Sequence, residues 1–470
     1  MYKAHITALT NVRKHPNADR LLLADVFGNT VCVSLDYTEG QVGVYFPTDG
    51  QLSAEFAEKN NLVRKKDEAG NNIGGYMDPD KRNVTAIRLR GEKSDGLFLP
   101  LSCLNYCYAH GDASIELRVG DVIDGCVNGH EICQKYIPRT NKSVRVSGGN
   151  KTRKHKVPTA PLFAEHADTE QLAYNLSAFK PGDEIEITLK MHGTSQRTGY
   201  LPVLKGYKDS IACRSTNVLR NMVNKIIGKE KYEEQHDGEP IYDWGYVSGT
   251  RRVVLESYEG GFYGDNQFRE QHSKVFEGKL MKGETVYYEV VGFTSSGQPI
   301  MSDASNKKLN DKEFIKQYGE TTRFSYGCKP TVSIDCDDIQ SDIYVYRMTM
   351  TNEDGFVVEY TPDFMRYRCE QMGVKCVPVF WRGIIPEHPG SKDDPTITAG
   401  EWVKNVAELY YDGPDPVGKT HVREGVVVRI VNRPKFAAYK HKGWSFKVLE
   451  GIVKDAAEAP DMEEAQDVAE

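Results

Sequence analysis

The chain has 470 residues, 39% hydrophobic and 27% charged, with 60 Lys or Arg against 67 Asp or Glu. At roughly 150 residues per domain this predicts two or three domains with ample apolar material for their cores. It excludes collagen-like, disulfide-framework and wholly disordered classes. No apolar run approaches the roughly 18 residues of a membrane span, and the N-terminus lacks the apolar stretch of a secretory signal. The expectation is an intracellular, cytoplasmic protein, of cellular or viral origin, with no membrane and no obligate protein partner.

The net charge of −7 is local. Residues 455–470 hold seven acids and no base, so residues 1–454 are neutral. Residues 135–156 carry eight Lys or Arg and no acid. That cluster is either a phosphate footprint or a solvated linker, and the two are compatible. The ten cysteines form no CxxC pair, so they read as reduced thiols rather than a zinc site.

In chain order, residues 1–130 predict a β-rich module. Short apolar runs (LLLADVFG, TVCVSL, VGVYFP, TAIRLRG, DGLFLPL, VGDVID) alternate with Gly, Pro, Asn and Asp, which suggests an OB-like barrel. Residues 131–165 read as a basic linker. Residues 166–452 mix strands (EIEITLK, TVYYEVVGF, DIYVYRMTM, GFVVEY, GVVVRI) with helical stretches near 217–228, 265–281 and 399–411, an α+β domain. Residues 453–470 form an acidic, disordered tail.

The chemistry centres on Lys190, at the end of a strand and before a Gly turn. Such an amine can act as a nucleophile when desolvation or nearby charge lowers its pKa. KxxG alone says little, since it recurs at Lys93, Lys190, Lys225, Lys316 and Lys440, and Lys93 even has the KxDG form. The residues downstream of Lys190 single it out. A basic element ends at Arg251 and Arg252. Glu289 sits inside an apolar strand, where a carboxylate needs a partner or a metal. Tyr346 lies in an aromatic-rich strand. Glu424 opens another apolar strand, and Lys447 closes the series. The aromatic can stack on a base, the acids can hold a divalent cation or ribose hydroxyls, and the lysines can neutralise phosphate oxygens.

This order resembles the covalent nucleotidyltransferases, the polynucleotide ligases and mRNA capping enzymes. KMHGTS is similar to the RNA ligase form of motif I, with His192 replacing the Asp of DNA ligases. YYEVVG, IYVYRM, REGVVVR and SFKVLEG resemble motifs III, IIIa, IV and V. With the β-rich module at the front, the chain resembles the Deinococcus-type nick-sealing RNA ligases, built as an OB-like domain followed by a nucleotidyltransferase domain on antiparallel sheets.

The resemblance implies an ATP-dependent RNA ligase active in RNA repair. It would act on nicked duplex RNA or RNA–DNA hybrid with Mg²⁺ or Mn²⁺. It makes Lys190 the AMP-bearing nucleophile and Lys447 a contact to the α-phosphate. Gly193 would let the backbone approach the nucleotide, and Arg251 or Arg252 would contact ribose or phosphate, with Arg214 competing for that role. Glu289 would bind ribose or metal, Tyr346 would stack on adenine, and Glu424 would hold metal. Ser445 departs from the usual KxK of motif V, and Lys440 and Lys442 could substitute. Thr188 and Leu189 stand where many ligases carry an acid for adenine. A capping guanylyltransferase, a DNA ligase and a non-catalytic nucleic-acid-binding protein remain the alternatives. Absence of a lysyl-adenylate would mark the binding protein, preference for GTP the capping enzyme, and sealing of all-DNA nicks the DNA ligase.

Overall fold

The computed structural model describes residues 2–454 except 49, 67–71, 137–156, 168, 228–233, 256, 259–265, 310, 333–336, 391–395 and 451–452. Most of the basic segment, the acidic tail and Cys336 therefore lie outside the described residues.

The front module is β-rich, as its turn-punctuated runs predict. One sheet orders Leu97–Pro100, Val42–Phe46, Ala4–Ala8 and Val122–Ile123, and a second orders Thr10–Lys14, Leu21–Val26 and Asn29–Ser34. Pairing among the described strands gives a set of small sheets and no barrel closure, so the expected OB-like barrel is not shown. Between Leu52 and Asn83 the chain leaves the sheets for the helix Ala54–Lys59 and a short hairpin, which divides the ladder. Ile6, Val44, Phe46 and Phe56 are fully buried in its core.

The rest of the chain is α+β, built on two mainly antiparallel sheets. The first orders Glu170–Gln171, Ala437–Lys442, Gly425–Ile430, Glu184–Leu189 and Val379–Ile384. Strand residues alternate between faces. Ile185, Ile187, Val426 and Val428 therefore pack down onto the helix Ala399–Glu408. That helix begins at a capping box in which Thr398 and Glu401 satisfy each other's backbone N–H groups. The second sheet orders Pro240–Gly249, Thr194–Tyr207, Glu284–Gly292, Ser341–Thr351 and Val357–Glu359. Its outer face packs on the helices Gln267–Lys274 and Pro362–Met372.

The C-terminal SFKVLE run, left without an assigned element by the sequence, lies in a helix, Trp444–Leu449. Six residues are too few for periodicity to separate helix from strand. No helix among the described residues is long and apolar enough to cross a membrane.

Candidate active site

A cavity of about 200 Å³ opens between the two sheets. Its floor is set by strand alternation in the first sheet. Glu186 and Thr188 pair across the ladder with Arg429 and Val427, which pair in turn with Ala438 and Lys440. All six side chains line the cavity, and Lys190 and Lys442 continue the same rows. Its roof comes from the second sheet through Glu289 and Tyr346, and His166, Arg251, Arg366 and Phe436 complete the wall.

Lys190 leaves its strand still tied to the ladder, its N–H donating to Gly425 O at 3.0 Å. Its Nζ lies 2.7 Å from Glu424 Oε1, and Lys442 Nζ approaches the same oxygen at 3.6 Å. His192 Nδ1 faces Glu424 Oε2 at 3.4 Å. Burial alone would push the Glu424 carboxyl up, but Lys190, Lys442 and His192 outweigh it and hold the group well below the usual carboxylate range.

Glu289 is the opposite case. Burial pushes it up to about 7; Lys190 opposes the rise and Glu424 adds to it. Burial thus lets this carboxylate keep its proton up to near neutrality despite the nearby cations.

The turn after Lys190 is fixed on three sides. The His192 N–H donates to Tyr326 Oη at 2.6 Å, and its ring stands edge-on to Phe324 and Phe446. Arg269, from the helix Gln267–Lys274, donates to Thr194 Oγ1 at 2.6 Å. Tyr346 Oη and Ser195 Oγ lie 2.8 Å apart, which sets the tyrosine ring.

The structure brings Lys190, Arg251, Glu289, Tyr346, Glu424 and Lys440 to one cavity. Four expected residues are placed differently. Lys447 does not line the cavity: it sits on the Trp444–Leu449 helix, 3.1 Å from Asp95 of the front module. The strand before that helix carries the two pocket lysines, Lys440 and Lys442, so a KxK pair exists there. Arg252 is exposed and outside the wall, as is Arg214 on the helix Ile211–Ile227. A Cβ on Gly193 would stand 2.3 Å from Val290 O, so the glycine is needed to press the turn against the Glu289 strand rather than against a ligand.

Glu186, 3% exposed and held by both Arg366 nitrogens at 3.1 and 2.8 Å, was not anticipated. The period of two in EIEITLK places it on the Lys190 face and could have shown it. Arg429, His166 and Glu450 carry no comparable local signal.

The donor set fits a divalent cation. Glu289 and Glu424 repel each other across the cavity, and the buried Glu424 Oε2 makes no hydrogen bond. A separate group of three possible ligands, Asp209, Cys213 and Asp237, lies at the start of the helix Ile211–Ile227, outside this cavity.

The cavity between the two sheets is thus lined by charged side chains, with the Lys190 amine at a strand end. No protein-family model and no curated protein matches the chain. Among solved structures it is similar to a Naegleria gruberi RNA ligase mutant with ATP and Mn, at TM-score 0.53 and 16% identity over 95% of this chain and 98% of that one. It is similar also to Naegleria gruberi RNA ligase with PPi, at TM-score 0.52 and 15% identity over 94% and 97%. The chain has the RNA ligase fold over nearly its whole length.

Proposed function

We propose that the chain is an ATP-dependent RNA ligase working through a lysyl-AMP intermediate. The observation that carries this reading is the Lys190–Glu424 pair at 2.7 Å, at the mouth of a cavity walled by Glu289 and Tyr346, within a fold whose solved examples hold ATP, AMP and Mn.

Three transfers account for the residues. Once its proton has passed to water, Lys190 Nζ attacks the α-phosphorus of ATP. The N–P bond forms as the bond to the bridging oxygen breaks, and pyrophosphate leaves. A 5′-phosphate oxygen of RNA then attacks the same phosphorus, and the lysine nitrogen leaves. The RNA 3′-OH finally attacks the activated 5′-phosphorus, giving the phosphodiester and AMP.

Tyr346, oriented by Ser195, offers its ring to the adenine. Lys440 and Lys442, rather than Lys447, offer ammonium groups to phosphate oxygens. Arg251 stands beside them for ribose or phosphate. Glu289 and Glu424 would hold Mg²⁺ or Mn²⁺, which would supply positive charge to the phosphates and to the two carboxylates. Repulsion between Glu424 and Glu289 keeps the site poised for that charge. The same proposal takes in the Deinococcus-type resemblance, with nicked duplex RNA or an RNA–DNA hybrid as substrate and the front module binding the duplex on the 3′-OH side.

The test is incorporation of radiolabel from the ATP α-phosphate, run on a denaturing gel beside Lys190→Ala and Lys93→Ala. A labelled band lost only in Lys190→Ala is expected. A band lost only in Lys93→Ala would refute the assignment, and a preference for GTP would move the chain to the capping enzymes.

A further inference from the structure

The Lys93–Gly96 turn fits the nucleophile pattern KxDG, yet it lies in the front module, outside the cavity. It is anchored there: the Ser94 side chain is buried and accepts from Cys32 N–H at 2.9 Å, and the Asp95 N–H donates to Thr30 O at 2.8 Å. From that base it reaches across to the helix Trp444–Leu449. Lys93 Nζ sits 3.9 Å from the centroid of the Trp444 ring, a cation–π contact. Asp95 Oδ2 pairs with Lys447 Nζ at 3.1 Å, with 16% and 17% of the two side chains exposed. Buried Ala86 packs on buried Val448 beneath these contacts, and Val453–Lys454 adds a parallel strand beside Ala86–Leu89.

The helix held by this turn carries parts of the site at both ends. Gly443 alone separates it from Lys442, and the Gly443 N–H donates to Glu424 O at 2.9 Å. Glu450, at its other end, reaches back into the site: Oε2 lies 3.1 Å from Lys442 Nζ and Oε1 lies 3.4 Å from His192 Nε2. One carboxylate therefore ties the motif I histidine to the pocket lysine, and both groups face Glu424.

We propose that the Lys93–Gly96 turn is a clamp that sets the adenylylation site: by gripping the Trp444–Leu449 helix it holds Glu450, and through Glu450 it holds Lys442 and His192 against Glu424. Lys93, Asp95, Lys447 and Glu450 are positioning residues, and the front module takes part in the first chemical step before any RNA is bound. The inference rests on the ligase reading above.

The test is a charge swap on the full chain. Asp95→Lys and Lys447→Asp should each lower kcat/KM for lysyl-adenylate formation about tenfold, and the double variant should recover to within about twofold, the coupling expected of a close, partly buried pair. Because Lys442 meets phosphate, the single variants should raise KM for ATP as well as lower kcat. Glu450→Gln should cost about as much alone and little more on top of Asp95→Lys, since both act through one path. Hydrogen exchange over residues 437–450 should speed up in the single variants and return in the swap.

A Lys447→Asp variant that stays inactive in the swap would make Lys447 a phosphate contact and overturn the proposal. Full additivity of Glu450→Gln with Asp95→Lys would overturn it too. A wild-type chain that forms no adenylate refutes the ligase reading. Unchanged exchange in Asp95→Lys refutes the clamp, whatever the activity.

Discussion

Replacing Glu289 by Gln separates what this residue costs the fold from what it gives the site. Its carboxyl titrates near 7 against an ordinary 4.5, because burial disfavours the anion and Glu424 adds like charge, against partial relief from Lys190, Arg251 and Arg269. The folded chain therefore keeps a proton that the unfolded chain loses between those values. Stability falls as pH rises from about 4.5 to 7 and is level above. At 1.36 kcal/mol per pKa unit the full penalty is about 3 kcal/mol, and since solvent reaches part of the carboxylate, about half of it is a fair expectation. Glutamine has the same shape and no charge to desolvate. Without nucleotide or metal, Glu289→Gln should unfold at a higher denaturant concentration than wild type at pH 8, and at the same concentration at pH 4. On the proposed ligase reading, in which Glu289 would hold the metal, the same variant should lose lysyl-adenylate formation. A stability difference that did not change with pH, or a glutamine variant weaker than wild type at pH 8, would refute the argument that burial of the Glu289 anion costs the fold stability.

Glu424→Ala should act in the opposite sense on the fold. It leaves the ammonium groups of Lys190 and Lys442, 24% and 15% exposed, facing each other without their shared anion. A loss of about 3 kcal/mol is expected from breaking a buried pair at one partner, read as a lower unfolding midpoint at pH 7 together with loss of adenylylation; an unchanged midpoint would contradict it. Gly193→Ala forces a Cβ to within 2.3 Å of Val290 O. The cost should be about 1–3 kcal/mol of overpacking, with slower adenylylation as Lys190 is displaced; a variant with wild-type stability and rate would show that the turn does not need to lie so close to the Glu289 strand.

The parts of the site that were legible are those whose chemistry conflicts with their surroundings. Glu289 in YYEVVG and Glu424 before GVVVRI are carboxylates beside apolar strand residues, and a strand-end lysine precedes both. Those conflicts have a reason, and the structure places all three at one cavity. Placement decided by tertiary contact was not legible. SFKVLE alternates well enough for a strand and is short enough for a helix, so Lys447 could not be told from a pocket lysine by its own segment. Two further local signals bear on Glu186. The helix Pro362–Met372, which delivers Arg366 to Glu186, is announced by Thr361 as N-cap, Pro362 in the first turn and Gly373 left-handed at its end. The alternation of EIEITLK puts Glu186 under the same cavity as Lys190.

The two KxDG-like turns show why a motif is decided by its partners. Lys190 and Lys93 both lie at a strand and precede a glycine, and in both places a lysine and a carboxylate lie close together. At Lys190 the carboxylate is Glu424, buried, shared with Lys442 and His192, and opening onto a cavity large enough for a ligand. At Lys93 the ammonium lies on an indole and the turn's own acid is taken by Lys447, so the charges of that turn are spent on holding a helix rather than offered to a phosphate. The same residue types thus line a cavity in one place and, on our proposals, make a reactive centre there and a fastening in the other. The difference lies in what the paired charges face: an open cavity at Lys190 and a packed helix at Lys93.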